Sequence, residues 1–109
     1  MELRVLLIRE RGGWTAQALE VNIGTQGRSL RDVFNNFGQV WSTTMQLYME
    51  RGVEDPVARI GPAAPMFFDM AEHATPLPDG WDQPLRSNLY GAPYAPSRER
   101  WLEATERAA

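Results

Sequence analysis

The chain contains no cysteine and no lysine, and it has one histidine, His73. Without cysteine there are no disulfides, no thiolate nucleophile and no cysteine-based zinc site. A lone His73 excludes a histidine-rich metal centre and any mechanism that needs two imidazoles. All 11 basic side chains are arginine, a skew that surface chemistry does not require and that a GC-rich bacterial or phage coding sequence explains. Positive charge is also short overall, 11 basic against 14 acidic residues for a formal charge of −3. No run gathers the Lys/Arg cluster that tracks phosphate, so nonspecific nucleic-acid binding is not expected. Nor is there a long apolar stretch. The run Val5-Leu6-Leu7-Ile8 is bracketed by Arg4 and Arg9 and is followed by no small-residue cleavage site, which excludes a signal peptide and a spanning segment and leads us to expect a cytoplasmic protein.

What remains is ordinary globular material: 109 residues, 43% apolar and 23% charged, enough for one modest core. Leu3 to Arg9 reads as a strand, and Arg11-Gly12-Gly13 as a turn into a second strand from Trp14 to Val21, together a β-hairpin. The run Asn22–Gln26 either continues the second strand past a bend or forms a third antiparallel strand. Leu3, Val5 and Leu7 alternate with Leu6 and Ile8, so the first strand is apolar on both faces and must be covered on both, by a helix on one side and by a subunit partner or other cover on the other. Ser29 and Asp32 mark a helix start. Leu30, Val33, Phe34, Phe37, Trp41, Thr44, Met45 and Tyr48 recur at helical spacing, predicting a sheet-packed helix over 29–51 that stops at Gly52.

Prolines 56, 62 and 65 then mark a loop in which only Val57–Ile60 could form a strand. Met66–Ala74 reads as a short second helix with Pro65 in its first turn. Beyond it the chain carries Pro76, Pro78, Pro84, Pro93 and Pro96 without period and reads as an extended arm, with Ser97 capping a last helix over 98–108. The expected fold is α+β: a three-stranded antiparallel sheet with one long amphipathic helix, a short second helix and a C-terminal arm ending in a helix. The division is 1–75 for the α+β part and 76–109 for the arm.

The runs Gly12-Gly13-Trp14-Thr15-Ala16-Gln17-Ala18-Leu19-Glu20, Ile23-Gly24-Thr25-Gln26-Gly27 and Ser29-Leu30-Arg31-Asp32-Val33-Phe34-Asn35-Asn36 resemble the HicB-like antitoxins, a family with a partial RNase H-like fold. Pro62-Ala63-Ala64-Pro65-Met66-Phe67-Phe68 resembles a segment that follows the helix in some of these proteins. The likeness covers residues 3 to about 74. It implies a protein that binds a small mRNA-cleaving toxin of the HicA type, covers its active site and assembles as a dimer or tetramer. Many members add a C-terminal DNA-reading module. Here residues 81–109 offer one helix, and their acids Asp82, Glu99, Glu103 and Glu106 balance Arg86, Arg98, Arg100 and Arg107, so autonomous operator binding is not expected.

An RNase H-like outline invites a search for two-metal carboxylates, and Glu20 and Asp32 are the nearest pair; each is explained otherwise, as a strand terminus and as a helix N-terminal charge. His73 reads as a helix-end side chain, and the glycine pairs lack the lysine and context of a phosphate loop. The chain therefore reads as noncatalytic, with no cofactor or metal. Contacts to a partner are expected from the turn region, Arg11, Trp14 and Gln17, and from arm anchors Leu89, Tyr90, Tyr94, Trp101 and Leu102, which exceed what a small monomer comfortably buries. The function implied is a binding protein, homodimeric, that occludes a toxin surface. The alternative is a structural or adaptor protein, phage-encoded or an orphan relative, that assembles through the arm.

Overall fold

The computed structural model describes residues 1–78, 89 and 91–105. Among the described residues, five strands and three helices follow in the order β1 (Glu2–Glu10), β2 (Gly13–Ala18), β3 (Gly24–Gly27), α1 (Leu30–Glu50), α2 (Pro56–Ile60), α3 (Pro65–Glu72), β4 (Thr75–Pro76) and β5 (Arg98–Glu103). The sheet order is β3-β2-β1-β5-β4. β1 with β2, β2 with β3 and β4 with β5 are antiparallel, whereas β1 and β5 run parallel.

The hairpin closes as the sequence dictates. Gly12 takes a left-handed φ of +87°, the conformation such turns demand and side chains resist. The register then sets Arg9 opposite Trp14 and Ile8 opposite Thr15. The short run after the second strand forms β3, antiparallel to β2. Gly27 ends β3 where the strand meets the first turn of α1: a Cβ there would lie 2.4 Å from the Val33 amide nitrogen, so only glycine permits this approach.

Ser29 caps α1 by accepting from the Asp32 amide at 3.1 Å. The helix stops where Gly52 N–H donates to the Met49 carbonyl and Val53 N–H to that of Tyr48, the paired bonds that satisfy a helix C-terminus. Its buried stripe, Val33, Phe34, Phe37, Trp41 and Met45, packs on Leu3, Val5, Leu7, Ala16 and Ala18. The opposite face of the sheet carries a second core of Leu6, Leu19 and Leu102, covered by Phe67, Phe68, Met70 and Ala71 of α3. The cover demanded by an apolar second face is thus supplied within the chain.

Three expectations are corrected. The sheet is five-stranded and mixed rather than three-stranded and antiparallel. Residues 98–103, expected as helix, form β5, inserted beside β1 in register from Glu2↔Arg98 to Leu7↔Glu103. The physical reason lies in the burial alternation: Glu99 and Trp101 are buried on one face, alternating with exposed Arg98 and Arg100, while Leu102 is buried on the other face. This is a period of two that serves both cores, and it outweighs local helix propensity. Of the rest of the expected helix, Ala104 and Thr105 have no regular secondary structure and 106–108 lie outside the described residues. Val57–Ile60, the possible strand, belongs to α2, where Asp55 accepts from the Ala58 amide at 3.2 Å and Pro56 occupies the first turn, a start signal strong enough to fix a short helix.

Ahead of β5, the segment from Gly91 to Ser97 is tied to α1 and to the chain start. The Trp41 indole N–H donates to the Pro93 carbonyl at 3.1 Å, and the Tyr94 hydroxyl, on a residue with φ of 57°, donates to the Glu54 carbonyl. Ser97 N–H donates to the Met1 carbonyl at 2.8 Å, placing β5 directly beside β1. Among the described residues no helix is long and apolar enough to cross a membrane.

Candidate functional site

The hairpin end of the molecule carries two concavities, one on each side of the sheet's edge. The first, of about 450 Å³, is lined by Glu10, Arg11, Gly12, Gly13, Trp14, Gln26, Gly27, Arg28, Asp32 and Asn36. Its walls are the β1–β2 turn, the end of β3 and the first turns of α1. Asn36 is committed to the wall, since its Nδ2 donates to the Gln26 carbonyl at 2.8 Å and so occupies an acceptor on the β3 strand. Trp14 is half-buried, packs on the main core with one side and carries the Arg9 guanidinium 5.6 Å from its ring, within range of a cation–π contact.

The charges in this depression do not neutralise one another. Arg11, Arg28, Glu10 and Asp32 are all exposed, and among the described residues the ion pairs are elsewhere: Arg4 with Glu20 at 2.7 Å and Arg100 with Glu2 at 3.8 Å. With Arg9 over the ring, three cations and two anions surround one indole and form a surface of mixed sign. That pattern suits the mixed charges of a protein surface better than the uniform charge of a nucleic-acid backbone.

The second concavity, about 910 Å³, opens on the α3 side between that helix and the C-terminal ends of β1 and β5; its floor includes Ile8, Met70 and Ala104, and its rim Arg9, Asp69, Glu72, His73 and Thr105. His73 is exposed and its carbonyl accepts from the Thr105 hydroxyl.

The sequence-predicted contact residues fall into two groups. Arg11 and Trp14 stand together in the first depression. Gln17 is buried on the opposite face of β2, where its Nε2 donates to the Ala18 carbonyl at 2.9 Å and to Asn22 Oδ1 at 3.1 Å. Leu89, Trp101 and Leu102 are buried at 1%, 3% and 7% exposure in the chain's own cores, so they reach no partner without being withdrawn from the fold. Tyr94 is exposed and bonded to Glu54. Tyr90 lies outside the described residues. Glu10 and Arg28 are not singled out by the sequence, and Asp32 reads there only as a helix-start charge or a metal carboxylate; the signal for their gathering is the proximity of Arg28 and Asp32 to a turn that only the third strand brings beside Arg11.

Glu20 and Asp32 do not converge. Glu20 sits beyond the Ala18 end of β2, binding Arg4 through both its backbone N–H at 2.6 Å and its Nε at 2.7 Å. Asp32 adjoins Gly27, opposite Trp14 at the other end of β2. A strand of this length separates them by roughly 20 Å, far beyond the spacing of a two-metal site. The Arg4 guanidinium also lies 5.4 Å from the Phe68 ring, so the Glu20 pair anchors α3 to the sheet. Among the described residues no three metal-ligating side chains gather.

No family model, curated protein or solved structure matches the chain, and the HicB-like resemblance therefore rests on its quoted residue runs alone.

Proposed function

We propose that the chain is a noncatalytic binding protein of the HicB-like type, which neutralises a small mRNA-cleaving toxin of the HicA type by covering its active surface with the hairpin end. The observation that carries this reading is the first depression: Arg11, Arg28, Glu10 and Asp32 around Trp14, exposed and without ion pairs among the described residues. Charged groups held apart around an aromatic anchor have their pairing capacity free for another molecule, and aromatic and arginine side chains dominate interface energetics. The bacterial cytoplasmic setting and the homodimer belong to the same proposal. An adaptor that assembles through the arm is less well supported, because Leu89, Trp101 and Leu102 are used inside the fold.

The test is capture of partners by the tagged chain in its native host, followed by an RNA-cleavage assay of the recovered protein with and without the chain. The expected result is a small ribonuclease whose cleavage is blocked by the wild type. It should be blocked at least about ten-fold less well by the double variant R11E/R28E, which reverses two exposed charges at the proposed contact. Recovery without a ribonuclease, or undiminished inhibition by that folded variant, contradicts the proposal. Light scattering of the purified chain reads the dimer.

A further inference from the structure

The concavity beside α3 is the larger of the two, and its composition differs from that of its neighbour. Its floor is apolar, with half-buried Ile8, Met70 and Ala104. Its rim places the carboxylates of Asp69 and Glu72 on the last turns of α3, both exposed. Neither carboxylate has a partner among the ion pairs and hydrogen bonds of the described residues. The one guanidinium on the rim, Arg9, is drawn over the Trp14 ring on the other side of the strand end. An uncompensated anionic rim over an apolar floor matches one kind of occupant closely: a long side chain with an aliphatic stem and a cationic head, which covers apolar surface with its stem while keeping its charge outside. A bare metal ion fits poorly, because no three ligating side chains gather among the described residues, and a polyanion is opposed by both carboxylates.

We propose that this cleft receives an arginine or lysine of a protein partner, its stem on Ile8 and Met70 and its charged head between Asp69 and Glu72. The inference rests on reading the chain as a binding protein and extends that reading: the partner engages the hairpin end from both sides of the sheet, pairing mixed charges on the α1 side and inserting a basic side chain on the α3 side. A partner of the opposite kind, with an acidic protrusion, is rejected here by like-charge repulsion.

The probe is a blocked Leu-Arg-Leu peptide titrated into the isotope-labelled chain, with amide resonances followed by NMR. Saturable shifts at Ile8, Met70 and Ala104 are expected, together with binding weaker by about five-fold for the citrulline peptide, which keeps the shape and removes the charge. The variant D69N/E72Q should lose affinity for the arginine peptide to the same extent and bind the two peptides alike. Equal binding of arginine and citrulline peptides by the wild type overturns the proposal, as do shifts confined to other residues; both comparisons stand even if the variant fails to fold. Loss of toxin inhibition in R11E/R28E with the peptide titration unchanged would separate the two depressions, since those arginines line only the first.

Discussion

Trp101 stands where two phenylalanines of α1 meet the sheet, edge-on to Phe34 with ring centroids 4.9 Å apart and to Phe37 at 5.4 Å. Its indole nitrogen is buried without a hydrogen bond, so its contribution is packing. Trp101→Ala should cost about 3–5 kcal/mol through the cavity it leaves. Trp101→Phe, which keeps a ring against Phe34 and Phe37, should cost under about 2 kcal/mol. Urea unfolding midpoints measure both, and equal losses would show that the indole N–H matters after all. Gly27→Ala should lose roughly 1–3 kcal/mol in the same assay, because its Cβ collides with α1 backbone that cannot move without tilting the helix. At this scale much was legible beforehand: the cap at Ser29, the stop at Gly52 and the stripe from Val33 to Met45 are local signals. The role of Trp101 was not, since an aromatic on a proline-flanked segment reads equally as an interface anchor or as a distant part of the core.

Elements show why. Strands β1 and β2 are adjacent in the chain and announce each other through turn and alternation, whereas β5 reaches β1 from the far end of the sequence. Of its six residues, Arg-Glu-Arg-Trp-Leu-Glu, four are charged and all but Trp101 are good helix formers. Only a parallel partner that is apolar on both faces makes them a strand, and that partner is remote. A pair of engineered cysteines tests this element. Glu2 and Arg98 are register partners, both exposed, and neighbouring strands lie about 4.8 Å apart, within disulfide reach. In a chain with no cysteine of its own, E2C/R98C should oxidise to a single intramolecular bond, seen as faster migration on a nonreducing gel and a raised unfolding temperature. Free thiols or a linked dimer would contradict the parallel pairing. The two helices after α1 divide in the same way: α3 was legible from Pro65 and its aromatics, while the β-branched residues of α2 point toward strand and were overruled by Asp55 and Pro56.

For the whole molecule, the two sheet faces are unequally covered. The helix α1 buries six residues and α3 none completely, so α3 is held by partial contacts, by Arg4 over Phe68 and by the Thr105 hydroxyl donating to the His73 carbonyl just past its end. Amide hydrogen exchange should accordingly be slowest in β1, paired on both sides, and fastest among the helices in α3. The same asymmetry sets the function proposed here. The far end of the sheet is tied up by the Met1–Ser97 bonds and the docking of Asn22 and Ala63 onto neighbouring backbone, whereas the hairpin end leaves its charges and both depressions open. Sequence reasoning reached Arg11 and Trp14 from their position at a turn, but it could not see that Arg28 and Asp32 would join them in one depression, or that Asp69 and Glu72 would rim a second on the other side of the sheet.

The most direct measurement is hydrogen exchange of the chain in complex with the partner it captures, compared with the free chain. The account predicts new protection at residues 9–14, 26–32 and 69–73, together at the hairpin end, with the C-terminal half of α1 unchanged. Protection centred on α1 beyond Thr43, or at the Met1–Ser97 end, would contradict it.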